Sequence, residues 1–249
     1  MIKPPKIAEE AAFLRDYDVH AFEVPLTTVD IAIFSVREGH LNVLLVQRAE
    51  HPFMGRWALP GGFIDLRRDR TLDGAALRRL KEETGVKTPY LEQLQTFGSA
   101  KRDPRGWSVT CVYFALMPSE TVELLHGPGT AAAQWWPIQD ERVEPSLAFD
   151  HAEILEHAVT RLRNKVEYTS LPVHLLPAEF TLTECQHMFE IILGRKVDKS
   201  AFRKRVLDAG FMEEIKGRMR LGSNRPAQLY RIKKGETTVF FPRTLMARK

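Results

Sequence analysis

The sequence predicts an α+β protein of two domains, and three observations lead there. Over the first two-thirds of the chain, β-type apolar alternation is interrupted by a helical period at residues 72–84. Between Tyr168 and Glu179 the pattern lapses, punctuated by Pro172 and Pro177. Across that lapse the charge changes sign: residues 1–177 hold 20 Lys/Arg against 24 Asp/Glu, net −4, whereas residues 178–249 hold 16 against 8, net +8. We therefore expect one domain over 1–168 and a second over 178–249. Two domains suit a chain of 249 residues with 44% hydrophobic content.

Each element has its own signal. Alternation in 27–36 and 41–47, joined through Arg37-Glu-Gly-His40, reads as a β-hairpin. An apolar stretch at 57–63 is broken by Pro60-Gly61-Gly62. Leu72, Ala76, Leu77 and Leu80 then recur at helical spacing, and Gly85 sits where a left-handed C-terminal cap is usual. Strand patterns return at 91–97, 107–116 and 134–138, and a helix over 150–166 closes the first domain. In the second, Thr181-Leu-Thr-Glu184 matches a capping box opening a helix that Gly194 ends. Asp198 caps another helix, stopped by Gly210. Strands at 211–215 and 228–232 flank a Gly/Arg-rich excursion over 216–226. Helix, turn, helix, hairpin is the outline of a winged helix.

Composition removes several function classes. Glu9 and Glu10 stand in an N-terminal stretch that lacks the basic and apolar regions of a signal peptide, and nothing later is long and apolar enough to span a bilayer. Cys111 and Cys185, far apart and without a CxxC, read as two reduced thiols. A cytoplasmic protein with no membrane partner is expected. The +8 balance on the second domain fits a polyanion-binding module or a solvated basic surface with no partner, and charge alone does not separate the two.

Leu59-Pro-Gly-Gly-Phe-Ile-Asp65, followed by Arg78, Arg79 and Leu80-Lys-Glu-Glu-Thr-Gly-Val86, resembles the Nudix box, the metal-binding strand-loop-helix of Nudix hydrolases. That resemblance implies a Nudix α/β/α sandwich followed by a winged helix-turn-helix domain. Box chemistry needs several carboxylates on one helix, because Mg²⁺ prefers oxygen ligands and must bridge diphosphate oxygens while activating water. Here Arg79 and Arg70 occupy two positions that are glutamates in the family, and the intervening loop is two residues longer. Arg79 and Glu83 share a helical face, so a guanidinium is expected where the first metal would sit, paired with Glu83. No catalytic residue is expected beyond the vestigial Glu82 and Glu83, which leave only a weak Mg²⁺ site, and no cofactor is required. Arg70, Arg78 and Arg79 can instead neutralise a pyrophosphate by forked hydrogen bonds. The segment from Lys101 to Trp107 resembles a substrate-contacting loop of ADP-ribose-type Nudix proteins. The expected ligand contacts are Trp57, Gly61, Gly62, Arg70, Arg78, Arg79, Glu82, Arg102, Arg105 and Trp107; the two tryptophans suit stacking on an adenine and suit plain packing at least as well.

On the 198–209 helix, Phe202, Val206 and Ala209 form a core stripe, with Ser200 and Lys204 opposite and Arg203 and Arg205 flanking. That geometry suits a helix in the DNA major groove. The excursion adds a flexible cationic loop, so the expected DNA contacts are Lys199, Ser200, Arg203, Lys204, Lys216, Arg218, Arg220 and Arg225. Leu207 falls on the polar side without an assigned partner.

Arg102-Asp-Pro-Arg-Gly-Trp-Ser108, Leu147-Ala-Phe-Asp-His151, Phe180-Thr-Leu-Thr-Glu184 and Arg225-Pro-Ala-Gln-Leu-Tyr-Arg231 extend the likeness. From about Val24 to Ile232 the chain resembles the Nudix-related transcriptional regulators of NAD metabolism, the NrtR family. The resemblance implies a homodimeric repressor of NAD-biosynthesis or related genes that binds a palindromic double-stranded DNA operator and responds to ADP-ribose or a similar nucleotide. Two other functions compete with it: an active ADP-ribose pyrophosphatase with a basic accessory domain, and a nucleic-acid-binding protein on a ligand-free Nudix scaffold.

Overall fold

The structure, a computed structural model, describes residues 7–85, 90–119, 129–221, 226–234 and 238–241; of Ile7, Ala8, Glu83 and Thr84 it describes the backbone alone. Helix α1 (Ile7–Asp16), for which the sequence reading had no signal, precedes the sheet. The expected hairpin is β1 (Leu26–Arg37) and β2 (His40–Arg48), turning at Glu38 and Gly39, both at positive φ. Short strands β3 (Trp57–Ala58) and β4 (Gly61–Phe63) flank Pro60. Helix α2 (Leu72–Thr84) starts where the Thr71 side chain accepts from Gly74 N–H, and ends on Gly85 at φ 70°. Then follow β5 (Tyr90–Ser99), β6 (Ser108–Leu116), β7 (Thr130–Pro137) and α3 (His151–Val166).

These strands form one sheet in the order β3-β2-β1-β6-β5, with β4 also on β1 and β7 also on β2. β1 and β6 run parallel, from Leu26 opposite Ser108 to Phe34 opposite Leu116. Because side chains alternate along a strand, β1 feeds two cores. Val29, Ile31 and Ile33 meet Ala75, Ala76 and Leu80 of α2 on one face, while Ala32 and Phe34 share the other with Ile154, Ala158 and Leu162 of α3. The result is a helix-sheet-helix sandwich. Each fully buried Leu, Ile or Phe stabilises it by about 1.5–3 kcal/mol.

The expected linker is folded. A 3-10 helix (Leu171–Leu175) buries Leu171, Pro172, Val173 and Leu175, and its Leu171, Val173 and Leu175 join the same apolar core. Its length of five residues is too short for any period to show, and Pro172 within it mimics punctuation. The second domain follows as β8 (Phe180–Thr181), α4 (Leu182–Leu193), α5 (Lys199–Asp208), β9 (Met212–Arg220) and β10 (Ala227–Ile232), with sheet order β8-β10-β9. The capping box on α4 is complete: Glu184 N–H donates to Thr181 Oγ1 (3.2 Å) and Thr181 N–H to Glu184 Oε2 (2.7 Å). The cationic excursion is less of a loop than expected, because β9 continues through Lys216 to Arg220, opposite Ala227.

Candidate functional site

A pocket of about 250 Å³ opens where β1, β2, the β3–β4 turn, α2 and the start of α3 converge. Two glycines shape its floor. β4 lies so close to β1 that a Cβ on Gly61 would come within 2.3 Å of Asp30 Oδ1 and 2.5 Å of the Val29 carbonyl oxygen. Gly62, at φ 146°, adopts a backbone conformation that other residues rarely take, and the Arg79 Nη2 would lie 2.6 Å from a Cβ there. The Arg79 guanidinium lies against Gly62 and donates from Nη2 to the Phe63 carbonyl (3.2 Å). Among the described residues its nearest anion is Glu82 at 3.7 Å, and its buried Nε has no hydrogen-bond partner there. The pairing with Glu83 expected from spacing is not described, because that side chain lies outside the described residues.

One wall is a buried charge network. Arg102, 5% exposed, donates from Nε and Nη2 to the two Asp150 carboxylate oxygens (2.8 and 2.9 Å) and from Nη1 to Ser108 Oγ (3.3 Å). Asp30 Oδ2 lies 3.5 Å from Arg102 Nη2 and 3.9 Å from His151 Nε2. His151 Nδ1 accepts from Leu59 N–H (2.9 Å), which puts the proton of a neutral ring on Nε2; burial lowers its pKa below the usual histidine value.

The mouth is aromatic and cationic. Phe149, at φ 54°, presents its ring to Arg48 (4.9 Å) and Arg105 (6.0 Å), and Arg105 also covers Phe63 (5.0 Å). Arg105 donates from Nη2 to Asp103 (2.7 Å), which raises its own pKa. Burial, then the nearby positive charge of Arg105, lowers the pKa of Arg48. The two guanidinium groups of Arg48 and Arg105, close enough to lower the pKa of Arg48, set a positive charge at the mouth that favours an anionic ligand.

The expected contacts divide. Gly61, Gly62, Arg79, Arg102 and Arg105 line the pocket; Trp57, Arg70, Arg78, Glu82 and Trp107 do not. Trp57 packs edge-on against Trp136 (5.3 Å) in the core, and Trp107, 52% exposed, stands over Gly98. Arg70 is exposed to solvent. Arg78 is spent on the box loop: Nε and Nη2 each donate to Asp69 at 2.7 Å and Nη1 to Glu82 at 3.0 Å. The hydrogen bonds from Arg78 pull the Asp69 carboxyl down to about 2. Glu82 is shared by Arg68 (3.1 Å), Arg78 and Arg79. Glu82 already answers three guanidinium groups, and among the described residues no three His, Cys, Asp or Glu side chains gather as a cation site; the Glu83 side chain is not among them. Asp30, Arg48, Phe149 and His151 were missed as site residues. Only the motif from Leu147 to His151 hinted at two of them.

In the second domain, Lys199, Ser200 and Lys204 are exposed on α5, while Phe202 and Val206 are buried. Arg203 is half-buried, and among the described residues its Nε has no hydrogen-bond partner. Arg205 lies over the Phe241 ring (4.7 Å), and Leu207 stays 47% exposed with nothing to explain it. Lys216 is exposed on β9. Two wing arginines expected on a flexible loop lie instead on β9 and are engaged: Arg218 pairs with Glu179, and Arg220 with Glu184 (2.7 Å) and the Glu179 carbonyl (3.0 Å). Arg225 lies outside the described residues.

Fold and site thus define a Nudix domain, with arginine in a metal-ligand position, joined to a winged helix with a basic reading face. Residues 26–158 match the NUDIX domain family, and residues 172–232 match the NrtR DNA-binding winged helix domain. The chain belongs to the Nudix and winged-helix NrtR family. It is 45% identical over 240 residues to the ADPR responsive transcriptional repressor NtrR of Acinetobacter baylyi, covering 96% of this chain and 94% of that one. The crystal structure of Shewanella oneidensis NrtR complexed with a 27mer DNA superposes with a TM-score of 0.76 at 43% identity, over 84% of this chain and 94% of that one. The Nudix domain of the same protein, complexed with ADP ribose, gives 0.58 at 46% identity over 61% and 98%.

Proposed function

We propose that this protein is a cytoplasmic, homodimeric transcriptional repressor of NAD-biosynthesis or related genes, whose 1–168 domain binds ADP-ribose or a similar nucleotide and whose 178–249 domain binds a palindromic operator. The observation that carries the reading is the joint presence of an arginine-lined Nudix pocket and a winged helix with exposed Lys199, Ser200 and Lys204. Arg79 on Gly62 supports binding of a diphosphate without a metal and without hydrolysis, since a fixed guanidinium opposes a divalent ion there. Exposed Phe13, Leu14, Tyr17 and Phe22 on and beyond α1 support a dimer, because clustered apolar surface favours a partner.

Operator titrations with and without ADP-ribose test this reading. Operator affinity changes with the effector, and by linkage the effector's affinity changes by the same factor on the operator. Calorimetry in EDTA shows ADP-ribose binding, while product assays with Mg²⁺ or Mn²⁺ show negligible turnover. Turnover of about 1 s⁻¹ or more makes the protein a hydrolase instead.

A further inference from the structure

Beyond the winged helix, residues 238–241 turn back to the junction between the domains. Ser170 N–H donates to the Val239 carbonyl (2.9 Å), Val239 N–H to Ser170 Oγ (2.8 Å) and Phe241 N–H to the Tyr168 carbonyl (2.8 Å). Thr238 Oγ1 shares a hydrogen bond with His174 Nε2 (3.0 Å), and the Phe240 ring stacks on Tyr168 at 6.1 Å. Phe241, 4% exposed, then enters the second domain's core beside Phe189 (6.4 Å) and Phe211 (6.3 Å), with the Arg205 guanidinium of α5 on its face. One short segment therefore grips the turn that follows α3, at Tyr168 and Ser170, with its backbone and the DNA-reading helix with a ring.

The other end of α3 is the nucleotide pocket. Asp150, its N-cap, is held by Arg102, and its first residue, His151, lines the pocket wall. The 16 residues of α3 make a rod of about 24 Å between the pocket and the junction. Beside Phe241 there is also a cavity of about 240 Å³, bordered by Val166, Phe189, Phe202 and Arg205, so its ring has space for a second position. Packed cores transmit displacement because they switch between discrete arrangements rather than deform smoothly.

We propose that residues 238–241 form a strap that hitches α3 to α5, so that a shift of α3 started at the pocket changes how α5 meets the operator. The inference rests on the effector-responsive reading above and assigns its transmission to Phe241.

The test uses full-length protein, ADP-ribose and an operator duplex obtained by binding-site selection. The coupling ratio is the operator Kd with ADP-ribose divided by that without it. It should fall at least threefold toward unity in Phe241→Ala and in Val239→Pro, while calorimetry without DNA gives ADP-ribose affinities within twofold of wild type. Val239→Pro removes a strap N–H yet keeps every ring of the core, so it decides the matter if Phe241→Ala fails to fold. A wild-type ratio in a folded variant, or a parallel loss of ADP-ribose affinity, overturns the strap. If wild-type protein shows no response to ADP-ribose, the sensor reading fails separately. The strap then stands as a positioning device only if Val239→Pro weakens operator binding at least fivefold, and falls if binding is unchanged.

Discussion

Replacing Arg102 by methionine keeps the length of the side chain and removes its charge, leaving Asp150 and Asp30 facing each other's field without the guanidinium between them. Removing one partner of a buried ion pair costs about 3–5 kcal/mol, because the remaining charge stays desolvated. Asp150 is 17% exposed, so water recovers part of that loss, and the lower end, about 3 kcal/mol, is the expected cost. For a chain of this size each kcal/mol moves the melting temperature by about 2–4 °C, giving a fall of roughly 6–12 °C in a circular-dichroism melt. The double variant Arg102→Met with Asp150→Leu should recover at least half of it, since the orphaned carboxylate is gone. ADP-ribose affinity, measured by calorimetry well below the transition, should fall only as far as the wall it depends on loosens. If Arg102→Met melts within 2 °C of wild type while ADP-ribose binding disappears, the reasoning is refuted and Arg102 is an effector contact rather than a structural cation.

Gly61→Ala forces β4 off β1 and should lower the urea midpoint by an amount equivalent to about 1–3 kcal/mol, with weaker ADP-ribose binding; an unchanged midpoint contradicts the close approach to Asp30. Burial lowers the pKa of His151, so the unfolded chain takes up the proton first as the pH drops. Stability should be full above the ordinary histidine value and decline below it, with a shallower decline between pH 7.5 and 5.5 in His151→Gln. Asp69, drawn down to about 2 by Arg78, contributes stability above the ordinary carboxylate range that is lost as pH falls toward 2; Asp69→Asn should flatten that acid limb. Arg218→Ala should change stability by less than about 1 kcal/mol, because its ion pair with Glu179 is exposed. Its operator affinity should show a logarithmic salt slope shallower by about one unit per subunit, and an unchanged slope removes Arg218 from the phosphate contacts.

Elements with a local signal were legible in the sequence. The hairpin around Gly39, the α2 cap at Gly85 and the Thr181–Glu184 box each depend on residues within one turn of one another. Direction was not legible. Arg78 and Arg79 are neighbours in sequence, but about 100° of helix separates them, and one turns to Asp69 while the other turns onto Gly62. Trp57 and Trp107 carried the chemistry of a base-stacking residue without its placement. The aromatic and cationic mouth unites Arg48 of β2 with Phe149, about a hundred residues on, and only the tertiary fold brings them together. The buried Leu171–Leu175 turn and the two-residue β8 were too short for periodicity to register.

The clasp between Ser170 and Val239 joins residues 69 positions apart, and this separation bears on how the protein is made. Chains are synthesised at about 5–20 residues per second, so roughly 3–14 s pass between the emergence of Ser170 and that of its partner. During that interval Thr169, Ser170 and the apolar turn that follows, all buried in the finished molecule, lack part of their cover while the upstream sandwich is already able to fold. The nascent protein thus passes through a stage with a completed first domain and an open seam at the junction. Slow translation of the last third prolongs that stage, and it is then that the growing chain is most exposed to proteolysis and to pairing with another copy of itself.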